Sequence, residues 1–220
     1  MTLTRRVFAA AAVAGLVAGP ALAADGPEMI AAKKLYPFLD LYLSLPAANR
    51  SRFMMAYYLR SNGKPVTGDA LTLISAGGGR STIPLGDDGR LLKLPSPADL
   101  KDGQVAIARP SAATRFQLNM EMQPVLRLAE IVSADEAAAA IAQCRTAIKA
   151  KAGIIGFAAP KIEQVIFAGV TSGTAVFSDG RTAPLPLYRN MPAYDPAVLA
   201  DVASLKFARA PARALLVGKK

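Results

Sequence analysis

Apolar positions recur along this chain with two different periods, and the changes of period mark out its elements. Phe38, Leu41, Tyr42 and Leu45 fall at i, i+3, i+4 and i+7, with Pro37 suited to a first helical turn and Pro46 placed to stop it. This predicts a short helix, apolar nearly all round and therefore well covered. From Phe53 the period drops to two, with Phe53, Met55, Tyr57 and Leu59 on one face of a predicted strand and Met54, Ala56, Tyr58 and Arg60 on the other. Ser61-Asn62-Gly63-Lys64-Pro65 reads as a turn, because Asn-Gly suits the left-handed conformations of a tight hairpin. Strands are then expected at Ala70 to Ser75 and Ser81 to Leu85 around the triple glycine Gly77 to Gly79. Short β-prone pieces follow at Leu91 to Leu94 and Gln104 to Ala108. Thr114 to Gln123 alternates most cleanly, Phe116, Leu118, Met120 and Met122 against Gln117, Asn119, Glu121 and Gln123, so one face should be core and the other wet.

Ser133-Ala134-Asp135-Glu136 has the form of a capping box, and the alanine-rich run to Lys151, closed by Gly153, predicts the longest helix. Its apolar stripe would be Ala137, Ile141, Cys144 and Ile148, which makes Cys144 a small buried hydrophobe. Strand-like runs follow at Ile162 to Val170, Gly173 to Ser178, Arg181 to Leu187 and Ser204 to Ala208.

The two halves share an order of signals. Each has a helix, a proline (Pro46; Pro160), an apolar strand, a Gly-Arg turn (Gly79-Arg80; Gly180-Arg181) and a Pro-Leu (Pro84-Leu85; Pro184-Leu185). Each continues with Pro-Ala-x-Leu (Pro97 to Leu100; Pro196 to Leu199), a strand, and paired arginines (Arg109 and Arg115; Arg209 and Arg213). The expected fold is α+β, a tandem duplication of a helix followed by an antiparallel sheet, with modules at 37–131 and 132–217 and a basic tail at 218–220. The element order is similar to that of the cystatin-like fold, an analogy that implies fold alone.

Ahead of the modules, Arg5-Arg6, an apolar run from about Val7 to Val17, and Ala21-Leu22-Ala23 predict a signal peptide over 1–23. Phe8, two places after the arginine pair, resembles the twin-arginine export signal. A loose leader is expected over 24–36. Cleavage would remove Arg5 and Arg6, take the formal net charge from +10 to +8, and leave a periplasmic or secreted protein without a transmembrane segment. One cysteine permits no internal disulfide, so packing and hydrogen bonds must hold the fold.

With no histidine in the chain there is no Ser-His-Asp triad, no Cys-His pair and no His-ligated metal, and a single thiol cannot hold a thiolate metal cluster. No catalytic, cofactor-binding or metal-binding residues are therefore assigned, and no nucleic-acid partner is expected. Ser61 and Lys64 have the S-x-x-K spacing of penicillin-binding enzymes, but they sit at a hairpin rather than a helix start. Nothing fixes any two of Asp40, Asp69, Glu121, Glu163 and Asp195 at the separation glycoside chemistry requires. The triple glycine with Arg80 lacks the Lys-Ser/Thr of a phosphate loop.

The expectation is thus an exported, non-enzymatic binding or accessory protein of the cell envelope, contacting a protein or anionic partner through Arg80, Arg109, Arg115, Arg181, Arg209 and Arg213. A carrier of an apolar ligand, held by Phe38, Tyr42, Met55 and Tyr57, is the alternative, and a histidine-independent hydrolase stands third. The sequence sets no oligomeric state.

Overall fold

A computed structural model of the chain describes residues 14–15, 27–108, 115–155 and 161–219. It is α+β: among the described residues there are four antiparallel sheets of four strands each, with few helices. The chain divides into two compact units, residues 1–44 with 56–120, and residues 45–55 with 121–220.

The first unit contains β1 (Ala14–Gly15), β2 (Glu28–Ala31), α1 (Ala32–Leu35) and α2 (Leu39–Leu43). β3 (Phe53–Ser61), β4 (Lys64–Pro65), β5 (Leu71–Ile74), β6 (Arg80–Thr82), α3 (Pro97–Asp102), β7 (Gln104–Ile107) and β8 (Phe116–Pro124) follow, with β3 and β8 crossing the division between the units. One sheet has the order β1-β8-β3-β4 and the other β2-β7-β5-β6. β2 lies within the stretch expected to be a loose leader. Four residues carry too little periodicity to read, and pairing with β7 (Ile30 opposite Val105) defines this strand.

The hairpin between β3 and β4 matches its sequence signal. Asn62 and Gly63 both take positive φ, and Ser61 pairs with Lys64, so the S-x-x-K spacing is a two-residue turn. α2 differs from expectation. It is shorter than predicted and its apolar residues are not all covered: Leu39 is buried, Leu41, Tyr42 and Leu43 are half-buried, and Phe38 is 41% exposed at φ 63°. The i, i+3, i+4 spacing is met by any short apolar run, and five residues present too narrow a stripe to bury every one.

The second unit contains β9 (Ile131–Ser133), α4 (Ala134–Ile155), β10 (Gln164–Ala168), β11 (Thr174–Phe177), β12 (Thr182–Pro184), β13 (Leu187–Tyr188), β14 (Met191–Tyr194), β15 (Val202–Lys206) and β16 (Arg213–Val217). The sheet orders are β12-β11-β15-β9 and β13-β14-β10-β16. α4 is capped as expected at one end, where the Glu136 N–H donates to the Ser133 hydroxyl at 3.2 Å. At the other it runs through Gly153 to Ile155, because a glycine costs a helix only about 1 kcal/mol and does not by itself end it.

Ala137, Ala140, Ile141, Cys144 and Ala147 form the buried stripe of α4, and its small residues let the helix approach β15 closely. Gln143 explains why 45–55 belongs to this unit. Its side-chain oxygen accepts from the Arg52 N–H at 2.7 Å, and its nitrogen donates to the Ala48 carbonyl at 2.8 Å and the Ser51 hydroxyl at 3.2 Å. No helix of the described residues is long and apolar enough to cross a membrane.

Candidate functional site

The residues singled out in the sequence are divided between the two units. Arg80 and Arg115 are exposed in the first unit, and the Arg115 carbonyl accepts from the Asn62 N–H. Arg109 lies outside the described residues. In the second unit Arg181 is tied to Asp179 at 2.6 Å and lies over the Phe177 ring at 4.8 Å, while Arg209 donates to the Gly169 carbonyl at 2.7 Å. The charge-assisted bond from Arg181 holds the Asp179 carboxyl below its ordinary range. Arg213 is half-buried and lies 3.4 Å from Glu121. Lys219, in the expected basic tail, pairs with the buried carboxylate of Asp195, and its N–H donates to Glu163 at 3.1 Å.

The four residues of the expected apolar pocket also part company. Tyr57 is fully buried, edge-on to Tyr36 at 5.2 Å between ring centroids, and its hydroxyl donates to the Pro37 carbonyl at 2.7 Å. Met55 is buried, Tyr42 half-buried and Phe38 exposed. Tyr36, 1% exposed, has a hydroxyl without a hydrogen-bond partner among the described residues, and burial pushes its ionisation, like that of Tyr57, far up. The two phenols should therefore respond oppositely to losing their oxygen. Tyr36→Phe is expected to stabilise by about 1 kcal/mol or more, by removing an unsatisfied buried group, and Tyr57→Phe to destabilise by about 0.5–1.5 kcal/mol. Urea midpoints of the two variants check the signs.

Cys144 is fully buried against the Met122 sulfur at 3.7 Å, with its thiol pushed up to about 12 by burial, so it is a packing residue and not a nucleophile. Among the carboxylates, Asp40 pairs with Lys33 at 3.2 Å and Glu163 with Lys161 at 2.7 Å, which lowers the Glu163 carboxyl. Glu121 accepts from Gln123 at 2.8 Å. No group of three or more Cys, Asp or Glu among the described residues is placed to hold a metal ion.

A cleft of about 480 Å³ opens in the second unit over the start of α4. Asp135, in the first turn of α4, stands on one side with Ala138; the opposite wall is the segment from Pro196 to Ala203, and Ser178 and Tyr194 complete the lining. Local chemistry builds that wall. Asp195 accepts the Ala197 N–H on its carboxylate at 2.8 Å, and its carbonyl takes the Val198 and Leu199 N–H groups at 3.1 and 2.9 Å, which folds Pro196–Asp201 into a turn. Asp201 ends the turn at φ 59°, a conformation that Asp tolerates better than most residues. Both the N–H and the hydroxyl of Ser178 donate to the Asp201 carbonyl, at 3.0 and 3.1 Å, and hold it there.

The cleft is acidic although the chain is basic. No lysine or arginine lines it, and neither Asp135 nor Asp201 has a cationic partner among the described residues. Tyr194 is only 3% exposed, and its hydroxyl makes no hydrogen bond among the described residues. Desolvation, then the negative charges of Asp135 and Asp195, push its ionisation upward. Sequence reading passed over this site: Asp135 reads as a partner for the helix dipole, and Tyr194 and Asp201 come to it through strand register. The one local signal was Asp195-Pro196-Ala197, an Asx turn that the Pro-Ala-x-Leu comparison counted only as a repeat. The chain matches no family model, no curated protein and no solved structure.

Proposed function

We propose that the chain is an exported, non-enzymatic binding or accessory protein of the cell envelope, periplasmic or secreted, built from two related helix-plus-sheet modules and contacting a protein or an anionic envelope partner. The observation that carries the binding reading is the excess of positive charge, +8 after loss of residues 1–23, with Arg80, Arg115 and Arg209 presented at the surface. Long-range attraction of this kind steers association and is screened by salt.

The duplication is supported by pairing rather than by the repeated letters. β2-β7-β5-β6 and β9-β15-β11-β12 have the same order and the same antiparallel sense. Matching hydrogen bonds close them: Ile83 N–H to the Leu71 carbonyl and Leu185 N–H to the Gly173 carbonyl, at 2.9 and 2.8 Å. In the turns, Gly78 and Gly180 both take positive φ and donate to Ser75 and Phe177, at 2.9 and 3.0 Å. This registration moves the Gly-Arg match by one residue. Gly78, rather than Gly79, answers to Gly180, so Arg80 and Arg181 occupy different positions in their turns, and no shared Gly-Arg ligand motif is needed.

Co-sedimentation with vesicles, and capture from envelope extracts, test the binding reading. Retention on anionic but not neutral vesicles, or on a defined envelope protein, should be strong at about 0.02 M salt and fall away above about 0.3 M, where the Debye length is only a few ångströms. Arg209→Glu or Arg80→Glu should weaken it. Retention on neither partner at low salt, or retention indifferent to salt, would discard the electrostatic reading.

A further inference from the structure

We infer that the cleft over the start of α4 is a binding site for an organic cation bearing N–H donors, a primary ammonium or a guanidinium, seated between Asp135 and Asp201 against Tyr194. Three observations meet there. Two carboxylates line one cleft of about 480 Å³ with no lysine or arginine among its lining residues, so a cation entering it meets negative charge that no side chain of the lining offsets. Tyr194, its ring buried and its hydroxyl without a hydrogen-bond partner among the described residues, lines the cleft and supplies a phenol oxygen able to accept an N–H. Asp201 is fixed, not loose: its left-handed backbone is held by both Ser178 bonds, so the wall is preorganised.

The nearby Asp195 is a different case, since its carboxylate is already taken by Lys219 and the Ala197 N–H. It holds the turn and leaves the recognition to Asp135 and Asp201. The matching stretch of the first unit is built differently. In the first unit, α3 (Pro97–Asp102) packs on α1, and Lys33, the second residue of α1, stands where Asp135 is the second residue of α4. In the second unit the corresponding residues 196–201 make a turn, and the space beside the helix start is open. At the matching position the second unit thus carries a carboxylate where the first carries an ammonium.

Such a cation could be a free amine or a lysine or arginine of a polypeptide, and the recognition chemistry is shared. None of the arginines invoked above is among the residues lining the site, and its test does not depend on that reading. The full chain, labelled with ¹³C at the tyrosine ring and with the Tyr194 signal assigned by Tyr194→Phe, is titrated with n-butylammonium chloride, with n-butanol as the uncharged control. A second arm uses an acetylated, amidated tripeptide with one central lysine or arginine. The Tyr194 signal should shift saturably with a millimolar midpoint for an ammonium or guanidinium probe, as expected for exposed carboxylates, and not for butanol. Asp135→Asn and Asp201→Asn should each weaken binding at least about fivefold. Asn tolerates the left-handed backbone of Asp201, and circular dichroism of each variant confirms that it is folded.

A peptide bound at least about tenfold more tightly than butylammonium assigns the site to a basic segment of a partner; the reverse order assigns it to a free amine. No saturable shift with any cation, an equal response to butanol, or binding unchanged in both folded Asn variants would overturn the inference.

Discussion

Raising the pH above about 10 should unfold the first unit cooperatively, well before Tyr36 and Tyr57 ionise in place. Both phenols are buried, and desolvation, first among the causes, lifts their folded-state ionisation far above the ordinary value near 10. A raised folded value means the stability is fully present below the unfolded value and is lost as pH climbs from there towards the folded one. Each phenol then removes about 1.4 kcal/mol per pH unit, and the pair roughly 3 kcal/mol per unit. Against a domain stability of about 5–15 kcal/mol, roughly two to five units suffice. In the second unit Cys144 acts by the same sign over a lower window: its unfolded thiol ionises near 9, its folded one at about 12, and roughly 4 kcal/mol disappears between them.

The measurement is stability from urea unfolding at a series of pH values, alongside tyrosinate absorbance. The Tyr36 and Tyr57 contributions to that absorbance should appear only with loss of the circular dichroism signal. Tyr36→Phe should roughly halve the first unit's slope above pH 10, and Cys144→Ala should flatten the second unit's between about 9 and 12. Smooth ionisation of all tyrosines near pH 10 with the fold intact would show that Tyr36 and Tyr57 are not sealed as described.

That sealing was only partly legible in the sequence. Period-two alternation marks β3, and the β3–β4 turn follows from Asn62-Gly63 alone, because local backbone preference decides it. The start of α4 is legible for the same reason, as Ser133 caps it whatever lies around. What alternation does not report is whether both faces of a strand are covered: Met55, Ala56, Tyr57, Tyr58 and Leu59 are all buried. β14, Met-Pro-Ala-Tyr, was missed because its proline argues against a strand, yet Val165 opposite Tyr194 and Ile166 opposite Ala193 place it in the sheet. The cleft depends on that pairing and on β11 against β15, contacts between residues 25 or more apart in sequence. Separation of that size leaves no periodic trace, so Tyr194, Ser178 and Asp201 looked unrelated.

The duplication can be tested in the packing of its two sheets. Leu71 stands opposite Ile107 on β5 and β7. The same registration places Gly173 opposite Phe207 in the second unit, where a Cβ on Gly173 would come within 2.7 Å of the Phe207 ring and 2.8 Å of Leu185. Phe207 is itself buried against Phe167, with ring centroids 4.8 Å apart, and has little room to give way. If the units descend from one module, the two pairs are alternative solutions to one volume: medium with medium, or large with none. Gly173→Leu alone should therefore overpack the core and cost about 3 kcal/mol or more. Phe207→Ile alone should leave a cavity and cost about 1–3 kcal/mol. Together they recreate the first unit's pair, and the double variant should recover at least about 2 kcal/mol of the summed loss, a coupling at the upper end for residues in contact. Urea unfolding of the four proteins closes the cycle. Additive losses would mean that Gly173 and Phe207 do not share one space, and the strand orders would then match without a common packing plan behind them.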